Sequence, residues 1–243
     1  METLASREPI KRALIVLLLF FLFGLSVCSA QEPLSFQWRV TGNRNGEIVL
    51  TNNTSVPLTA YLFEVIREPC NPIEAIQRTF RGYDAITTLD GDAVQPSMSR
   101  IENLGASRCN KDGVSSPVKA TFKAALFTDG LSYGDKEWIE TLMQHRKFRL
   151  QSIDTVLGTL ESGSQGQKTR QEYVALLEKA GRAADEPQQD LQRIQFSDTD
   201  PYQQAIRELS KNETMPLQSE LDRLLAVFRA LRARIENALL RSK

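Results

Sequence analysis

The chain has few of the cysteine and histidine residues on which zinc sites and histidine-based catalysis depend. It contains one histidine, His145, and three cysteines. Zinc sites need clustered cysteine or histidine ligands, so this composition argues against zinc. A Ser-His-Asp triad would have to use His145, whose neighbours in the stretch 144–147 are polar and predict a solvated position. We therefore identify no catalytic, cofactor-binding or metal-binding residue, and we predict no cofactor.

The sequence also lacks an excess of charge of one sign. Lys and Arg together number 30, and so do Asp and Glu. A neutral chain has no global field to attract nucleic acid, so we predict no nucleic-acid partner. A glycine-rich phosphate loop is missing as well, because Gly163 and Gly166 follow a predicted helix instead of opening one.

Residues 1–30 have the three parts of a secretory signal peptide. A basic start is followed by the uncharged run 13–28, rich in Leu and Phe, and small residues precede the predicted cleavage site near Ala30. The apolar run is shorter than the roughly 20 residues that span a bilayer core. We therefore expect cleavage and a secreted or periplasmic protein. The alternative is that residues 13–28 remain as a single-pass membrane anchor.

Export would give the cysteines a structural interpretation. Removal of the leader, with Cys28, leaves Cys70 and Cys109. Two cysteines in an oxidising compartment most often pair, so we predict a Cys70–Cys109 disulfide. On the chain-entropy model it would stabilise the fold by roughly 4 kcal/mol. The alternative, a reactive thiol, would require a nearby base.

The first half after the leader alternates apolar and polar residues with a period of two, which is typical of strands with one buried face. The segment 57–66 is apolar on both sides, which predicts a central strand covered on both faces, with the helices as the candidate cover. Short strands of this kind, separated by regular turns, predict an immunoglobulin-like antiparallel β-sandwich over residues 31–132. The predicted strands are 34–40, 47–50, 57–66, 80–89, 97–104 and 118–127.

After Asp135 the apolar period becomes helical. The pattern predicts helices from Asp135 to about Glu161, over 169–184, from Pro201 to about Asn212 and from Leu217 onwards, with a short turn around Ile194 and Phe196. Residues 133–243 are therefore predicted to form a helical bundle. The expected fold class is α+β by segregation, with the strands first and the helices after them.

The last predicted helix carries a heptad seam, because its apolar residues step alternately by four and three. The seam consists of Leu217, Leu221, Leu224, Phe228, Leu231 and Ile235. Our main interpretation is that it packs within the chain's own bundle. One alternative is a coiled-coil contact with a partner, either an envelope protein or a second copy. The other is a helix on a membrane surface, since arginines occupy its outer faces.

Two segments and one turn carry a resemblance to other proteins. They are Asn52–Tyr61, the turn near Pro96, and Leu126–Asp135 with a helix after it. This pattern resembles a loose group of exported, acidobacterial-type proteins of unknown function with an immunoglobulin-like sandwich and a helical tail. The resemblance covers about residues 34–160. It implies an envelope or secreted setting and assigns no catalytic residue.

Two functional hypotheses follow. The first is a non-enzymatic binding or structural module of the cell envelope, because the chain combines a leader and a sandwich pattern with no catalytic constellation. The second is a hydrolase acting on envelope material, because a glycosidase site needs only two carboxylates. A concave cleft with two carboxylates about 5–10 Å apart would favour the hydrolase. A flat or convex surface would favour the binding module.

Overall fold

Two β-sheets face each other, and helices cover the outer side of the second sheet. A computed structural model describes residues 32–242 except 42–44, 68, 70–74, 90, 106, 109–113, 116, 165–167, 186–193, 198–199 and 212–213. Every strand and helix named below lies in one compact unit, Pro33–Lys243. Among the described residues, none of the helices combines the length and the apolar character that a membrane span requires.

Sheet one has three antiparallel strands in the order β1-β2-β5. Its register pairs Phe36 with Leu50 and Trp38 with Ile48, so these four apolar side chains point to the same side. They lie in one hydrophobic cluster with residues of the second sheet. The strands of sheet one are β1 (Leu34–Thr41), β2 (Asn45–Asn52) and β5 (Ser99–Leu104).

Sheet two has five strands in the order β10-β4-β3-β8-β9. Neighbours are antiparallel except β10, which joins β4 in parallel. Its strands are β3 (Leu58–Arg67), β4 (Gln77–Asp84), β8 (Pro117–Phe127), β9 (Ser132–Gly134) and β10 (Ile194–Phe196). A separate two-stranded ladder pairs β6 (Ser107–Arg108) with β7 (Val114–Ser115).

Strand β10 replaces the turn that the sequence predicts around Ile194 and Phe196. A glycine on the neighbouring strand makes its close approach possible, because a Cβ atom on Gly82 would lie 2.5 Å from the Phe196 ring. The ring therefore lies flat against the sheet where β4 has no side chain. The prediction of a turn was wrong because three residues are too few to show a strand period.

Strand β3 is buried on both faces, which confirms the prediction made from its apolar pattern. Tyr61, Phe63 and Val65 face sheet one. Ala60 and Leu62 face the other way and cluster with an apolar residue of the first helix. The helices are thus the second cover that the sequence predicts.

Four helices follow in the described part of the chain. Their starts are explained by local sequence: the amide of Glu172 donates to Thr169 Oγ1 at 3.3 Å while the Thr169 amide donates to Glu172 Oε2 at 2.6 Å, a reciprocal capping box. Asp200 Oδ1 caps another helix by accepting from the Tyr202 amide at 2.7 Å, with Pro201 in the first helical position. The helices are α1 (Lys136–Ser164), α2 (Arg170–Asp185), α3 (Pro201–Lys211) and α4 (Leu217–Arg241).

The helices enclose a second hydrophobic core. Phe228 of α4 is fully buried there, in one cluster with Ile153 and Leu160 of α1 and Tyr173 of α2. Helix α1 also contributes Leu142 to the cluster on sheet two. The order of strands followed by helices confirms the α+β class. Helix α1 contributes residues both to the helical core and to the hydrophobic cluster on sheet two. The predicted boundary at residue 132 falls within β9.

Candidate functional site: a cleft on the open side of the sandwich

A cleft lies between β5, at the edge of sheet one, and β4 of sheet two. Arg100 and Glu102 of β5 point into it, because they pair with Leu50 and Ile48, whose side chains face sheet two. These two charged residues therefore occupy inward positions of a strand, where apolar residues are the rule. Their place at the sheet edge lets them reach solvent.

Strand β4 contributes the opposite wall. Arg81 pairs with Phe63, and Tyr83 pairs with Tyr61, so both β4 side chains point toward sheet one. Tyr61 and Tyr83 stack with ring centroids 5.5 Å apart. Alternation along β3, β4 and β5 thus brings two arginines, one carboxylate and two tyrosines to the same space.

The cleft has two lobes, both lined by Tyr83 and Ser197. The first lobe has a volume of about 230 Å³ and the second of about 280 Å³. Tyr61, Arg81, Glu102 and Gln195 also line the first lobe, and Asp92, Arg100 and Gln204 also line the second.

Glu102 is the hydrogen-bond acceptor at the centre of the cleft. Its Oε1 accepts from the Tyr61 hydroxyl and from Arg100 Nε, the latter at 2.9 Å. Burial and the negative charge of Glu102 raise the pKa of Tyr61 far above its usual value. The Tyr61 hydroxyl therefore keeps its proton and acts as a donor to the carboxylate.

Arg100 is fixed from several sides. Its guanidinium carbon lies 3.7 Å from the centroid of the Tyr83 ring, a cation–π contact. The Asp92 carbonyl accepts from Arg100 Nη1 at 3.4 Å and from the Tyr83 hydroxyl at 3.1 Å. With Glu102 as its ion-pair partner, Arg100 is held in one orientation.

Arg81 differs from Arg100, because no hydrogen bond or ion pair ties its guanidinium to any described residue. Its Nε is buried and has no acceptor in the described part of the chain. Burial lowers the pKa of Arg67 on the neighbouring strand, and the positive charge of Arg81 lowers it further. Arg67 Nη1 donates to the Gly105 carbonyl at 2.8 Å. This end of the cleft is electropositive.

A second polar site lies on the opposite face of sheet two, under α1. Arg146 is 1% exposed and Asp84 is 0% exposed. Arg146 Nε donates to Asp84 Oδ2 at 2.7 Å, and its Nη2 donates to Asp84 Oδ1 at 3.1 Å and to Thr59 Oγ1 at 2.9 Å. The Thr59 hydroxyl in turn donates to the Leu126 carbonyl at 2.9 Å. This network joins α1 to three strands.

His145 lies beside this network, and the predicted solvated position is wrong. The residue is 4% exposed, and its ring stacks on Phe196 with centroids 3.5 Å apart. In a sequence, a run of polar residues on a helix usually indicates a solvent-exposed face. Here Asp84 supplies a buried counter-charge for Arg146, so the polar face of α1 packs inward beside His145.

The predicted seam of α4 lies in the helical core of its own chain. Leu217 is partly buried, and the buried residues are Leu221, Leu224, Phe228, Leu231 and Ile235. The arginines on the outer faces also bind within the chain: Arg229 donates to Glu161 at 2.7 Å and Arg232 to Asp154 at 2.6 Å. These side chains thus have intramolecular contacts, in line with our main interpretation of the seam.

Other predicted features fall outside the described residues. They are the leader 1–30, with its cleavage site, and both Cys70 and Cys109, so the disulfide stays a prediction. Within the described ranges, no group of three or more His, Cys, Asp or Glu residues is placed to hold a metal ion.

Sequence reasoning missed the cleft, although a signal was present. Arg100 and Glu102 are two positions apart in a predicted strand, as are Arg81 and Tyr83 in another. Charged residues on one face of a strand usually indicate a solvent face. Only the register, which places Arg100 and Glu102 on the same side as buried Leu50 and Ile48, shows that they face inward.

Comparisons with known proteins assign no family to the chain. No protein-family model, curated protein or solved structure matches it.

Proposed function

We propose that this protein is an exported, non-enzymatic binding module of the cell envelope that takes its ligand in the cleft between β4 and β5. The leader is the basis for export, and the cleft is the basis for binding. The observation that carries the proposal is that polar side chains line a concave cleft and are held in fixed orientations by contacts with neighbouring residues. Such preorganised polar groups in a pocket are typical of ligand sites.

The immunoglobulin-like classification is part of this proposal. The strand order β1-β2-β5 facing β10-β4-β3-β8-β9 supports it, with β10 as an added strand outside β4. If the strands are lettered A, B, C, C′, E, F and G in chain order without the β6–β7 ladder, this order corresponds to A-B-E facing C′-C-F-G. In that arrangement the cleft lies between strands C′ and E, and β10 extends the sheet beyond C′. Domains of this architecture commonly serve as binding modules, an analogy at the level of fold alone.

The site is a concave cleft with two carboxylates and not a flat surface, so its shape alone favours the hydrolase hypothesis, and the choice depends on what the carboxylates do. Glu102 lines the first lobe, and the exposed Asp92 lines the second. Glu102 already accepts hydrogen bonds from Tyr61 and Arg100, contacts that orient both neighbours. A carboxylate used in this way has a positioning role, which supports binding over hydrolysis.

Sedimentation with isolated cell-envelope material from the source organism tests the proposal. The full exported protein should pellet with the envelope. Gln195→Trp places a large ring in the first lobe and should reduce pelleting severalfold. The matched control is Gln37→Trp, on the exposed outer face of sheet one, which should pellet like the parent.

Two results would overturn the proposal. Equal pelleting of Gln195→Trp and Gln37→Trp would show that the cleft does not hold the ligand. Release of soluble fragments from the envelope by the parent, and not by Gln195→Trp, would establish hydrolysis instead. Both variants must first give the circular dichroism spectrum of the parent.

A further inference from the structure

Building on the proposed function, we propose that the first lobe of the cleft binds the carboxylate or phosphate group of a small anionic ligand, with the Arg81 guanidinium as its docking point. The two anions share one chemistry: each presents two oxygens to a planar fork of N–H donors. The inference names what the cleft recognises, which the proposed function leaves open.

The unpaired donor of Arg81 is the first argument. A buried N–H without an acceptor costs the free energy of its lost hydration, so such groups are rare in folded proteins. Arg81 Nε is in this condition within the described residues. An oxyanion that lies side-on to the guanidinium would take one hydrogen bond from a terminal nitrogen and, after a small shift of the side chain that uncovers Nε, a second from Nε. A ligand of this kind would satisfy the donor that the protein leaves open.

Charge is the second argument. Arg67 and Arg81 are near each other, and the structure pairs neither with a described carboxylate. Glu102, the carboxylate of the same lobe, has its charge offset by Arg100 at 2.9 Å. The net field in the lobe is therefore positive, and it favours an anion over a neutral or cationic group.

The polar residues at the rim of the lobe and its volume restrict the range of possible ligands further. Gln195 pairs in register with Arg81, so its amide lies on the same side of the sheet, and Ser197 follows on the same segment. Both can donate to a bound oxyanion. The volume of about 230 Å³ is below the roughly 300 Å³ at which drug-sized pockets begin. It fits a small molecule, or the anionic end of a longer one.

Titration followed by the Nε–Hε signals of the arginines tests the inference in the full exported protein. Sodium acetate and sodium phosphate are added in separate arms at constant ionic strength, with chloride as the balancing anion. The Arg81 signal should shift saturably in at least one arm, and the arm with the lower Kd identifies the preferred anion. A shift that does not saturate by about 100 mM in either arm overturns the inference, because a built site saturates.

Two variants separate the contribution of the planar guanidinium geometry of Arg81 from the contribution of its positive charge. Arg81→Gln should weaken binding at least about tenfold, read from the remaining signals of the lobe such as the Gln195 side-chain amide. Arg81→Lys keeps the charge without the fork and should also bind more weakly. The matched control is Arg78→Gln, since Arg78 lies on the opposite face of β4 and pairs with Glu64. Unchanged affinity in Arg81→Gln or Arg81→Lys would overturn the docking role.

The two proposals can fail separately. If Gln195→Trp abolishes envelope binding while neither anion shifts Arg81, the cleft binds its ligand by other chemistry and only the inference fails. If an anion binds Arg81 while Gln195→Trp pellets normally, the anion site stands and the envelope function fails. Signal dispersion in the amide spectrum confirms that each variant is folded.

Discussion

The two faces of sheet two bury charge in different ways. On the face toward the helices, Arg146 and Asp84 form a closed pair whose hydrogen bonds all lie inside the protein. On the face toward sheet one, Arg81 has a buried Nε without a described partner. The two sites share a strand, because Arg81 and Asp84 both lie on β4.

The difference follows from what covers each face. Helix α1 covers the first face around Asp84, so a charge buried there must be paired within the protein. Sheet one ends at β5, so the second face carries an open cleft at its edge, and a ligand can enter there. A closed network fixes the layers of the fold, whereas an open one remains available to a ligand. Four substitutions test this comparison.

Breaking the closed pair should have the largest effect. Arg146→Met leaves Asp84 buried without its counter-charge and should lower the free energy of unfolding by about 3–5 kcal/mol. Urea unfolding at pH 7 measures the loss. The double variant Arg146→Met, Asp84→Leu removes both charges and should recover a large part of it. If Arg146→Met alone were as stable as the parent, the buried Asp84 would not need Arg146 as its counter-charge, and the closed pair would be contradicted.

Phe228→Ala should have an effect of comparable size on the helical core. The ring is fully buried, and truncation of a large core residue costs about 3–5 kcal/mol. The loss should be independent of protein concentration, because the seam packs within one chain. Thermal unfolding over a tenfold concentration range measures both. A variant that melts like the parent but elutes as a smaller species would show that the seam binds another chain.

Tyr61→Phe acts on the open face and should have a smaller effect. It removes one of the two donors to Glu102 and should cost about 1–2 kcal/mol at pH 7, while Arg100 keeps its ion pair.

The same variant should change the dependence of stability on alkaline pH. The folded pKa of Tyr61 lies above the ordinary value of 10.0, so the folded protein holds this proton more tightly than the unfolded chain. Its contribution is complete below pH 10 and is lost as the pH rises further. Urea unfolding between pH 9 and about pH 11 should therefore show a shallower decline for Tyr61→Phe than for the parent. Parallel declines would contradict the burial of the hydroxyl.

Arg229→Ala should have the smallest effect. Arg229 and Glu161 are 59% and 50% exposed, so solvent screens their ion pair across α1 and α4. The expected loss is below about 0.5 kcal/mol, and it should shrink further in 1 M salt. If Arg229→Ala lowered the free energy of unfolding as much as Arg146→Met, the expected difference between buried and exposed ion pairs would be wrong.

Much of the fold was predictable from local patterns. The period of two located β1, β3 and β8, and the period of 3.6 located the four helices, because each element must bury one side of itself. The starts predicted at residue 169 and at Pro201 lie within one residue of the observed ones, where Thr169 and Asp200 cap the helices. Strand β10 escaped prediction because its three residues are too few to show a strand period.

The sequence by itself determined the four helices and most of the longer strands, and that β3 must be covered on both faces. Only the tertiary structure decided which polar residues meet. Arg146 and Asp84 are 62 positions apart, and Tyr61 and Glu102 are 41 apart. Local periodicity carries no information about such pairs, since they depend on strand order, on register and on where α1 crosses the sheet. The same packing turned the polar stretch around His145 inward and left Arg81 at the edge of an open cleft.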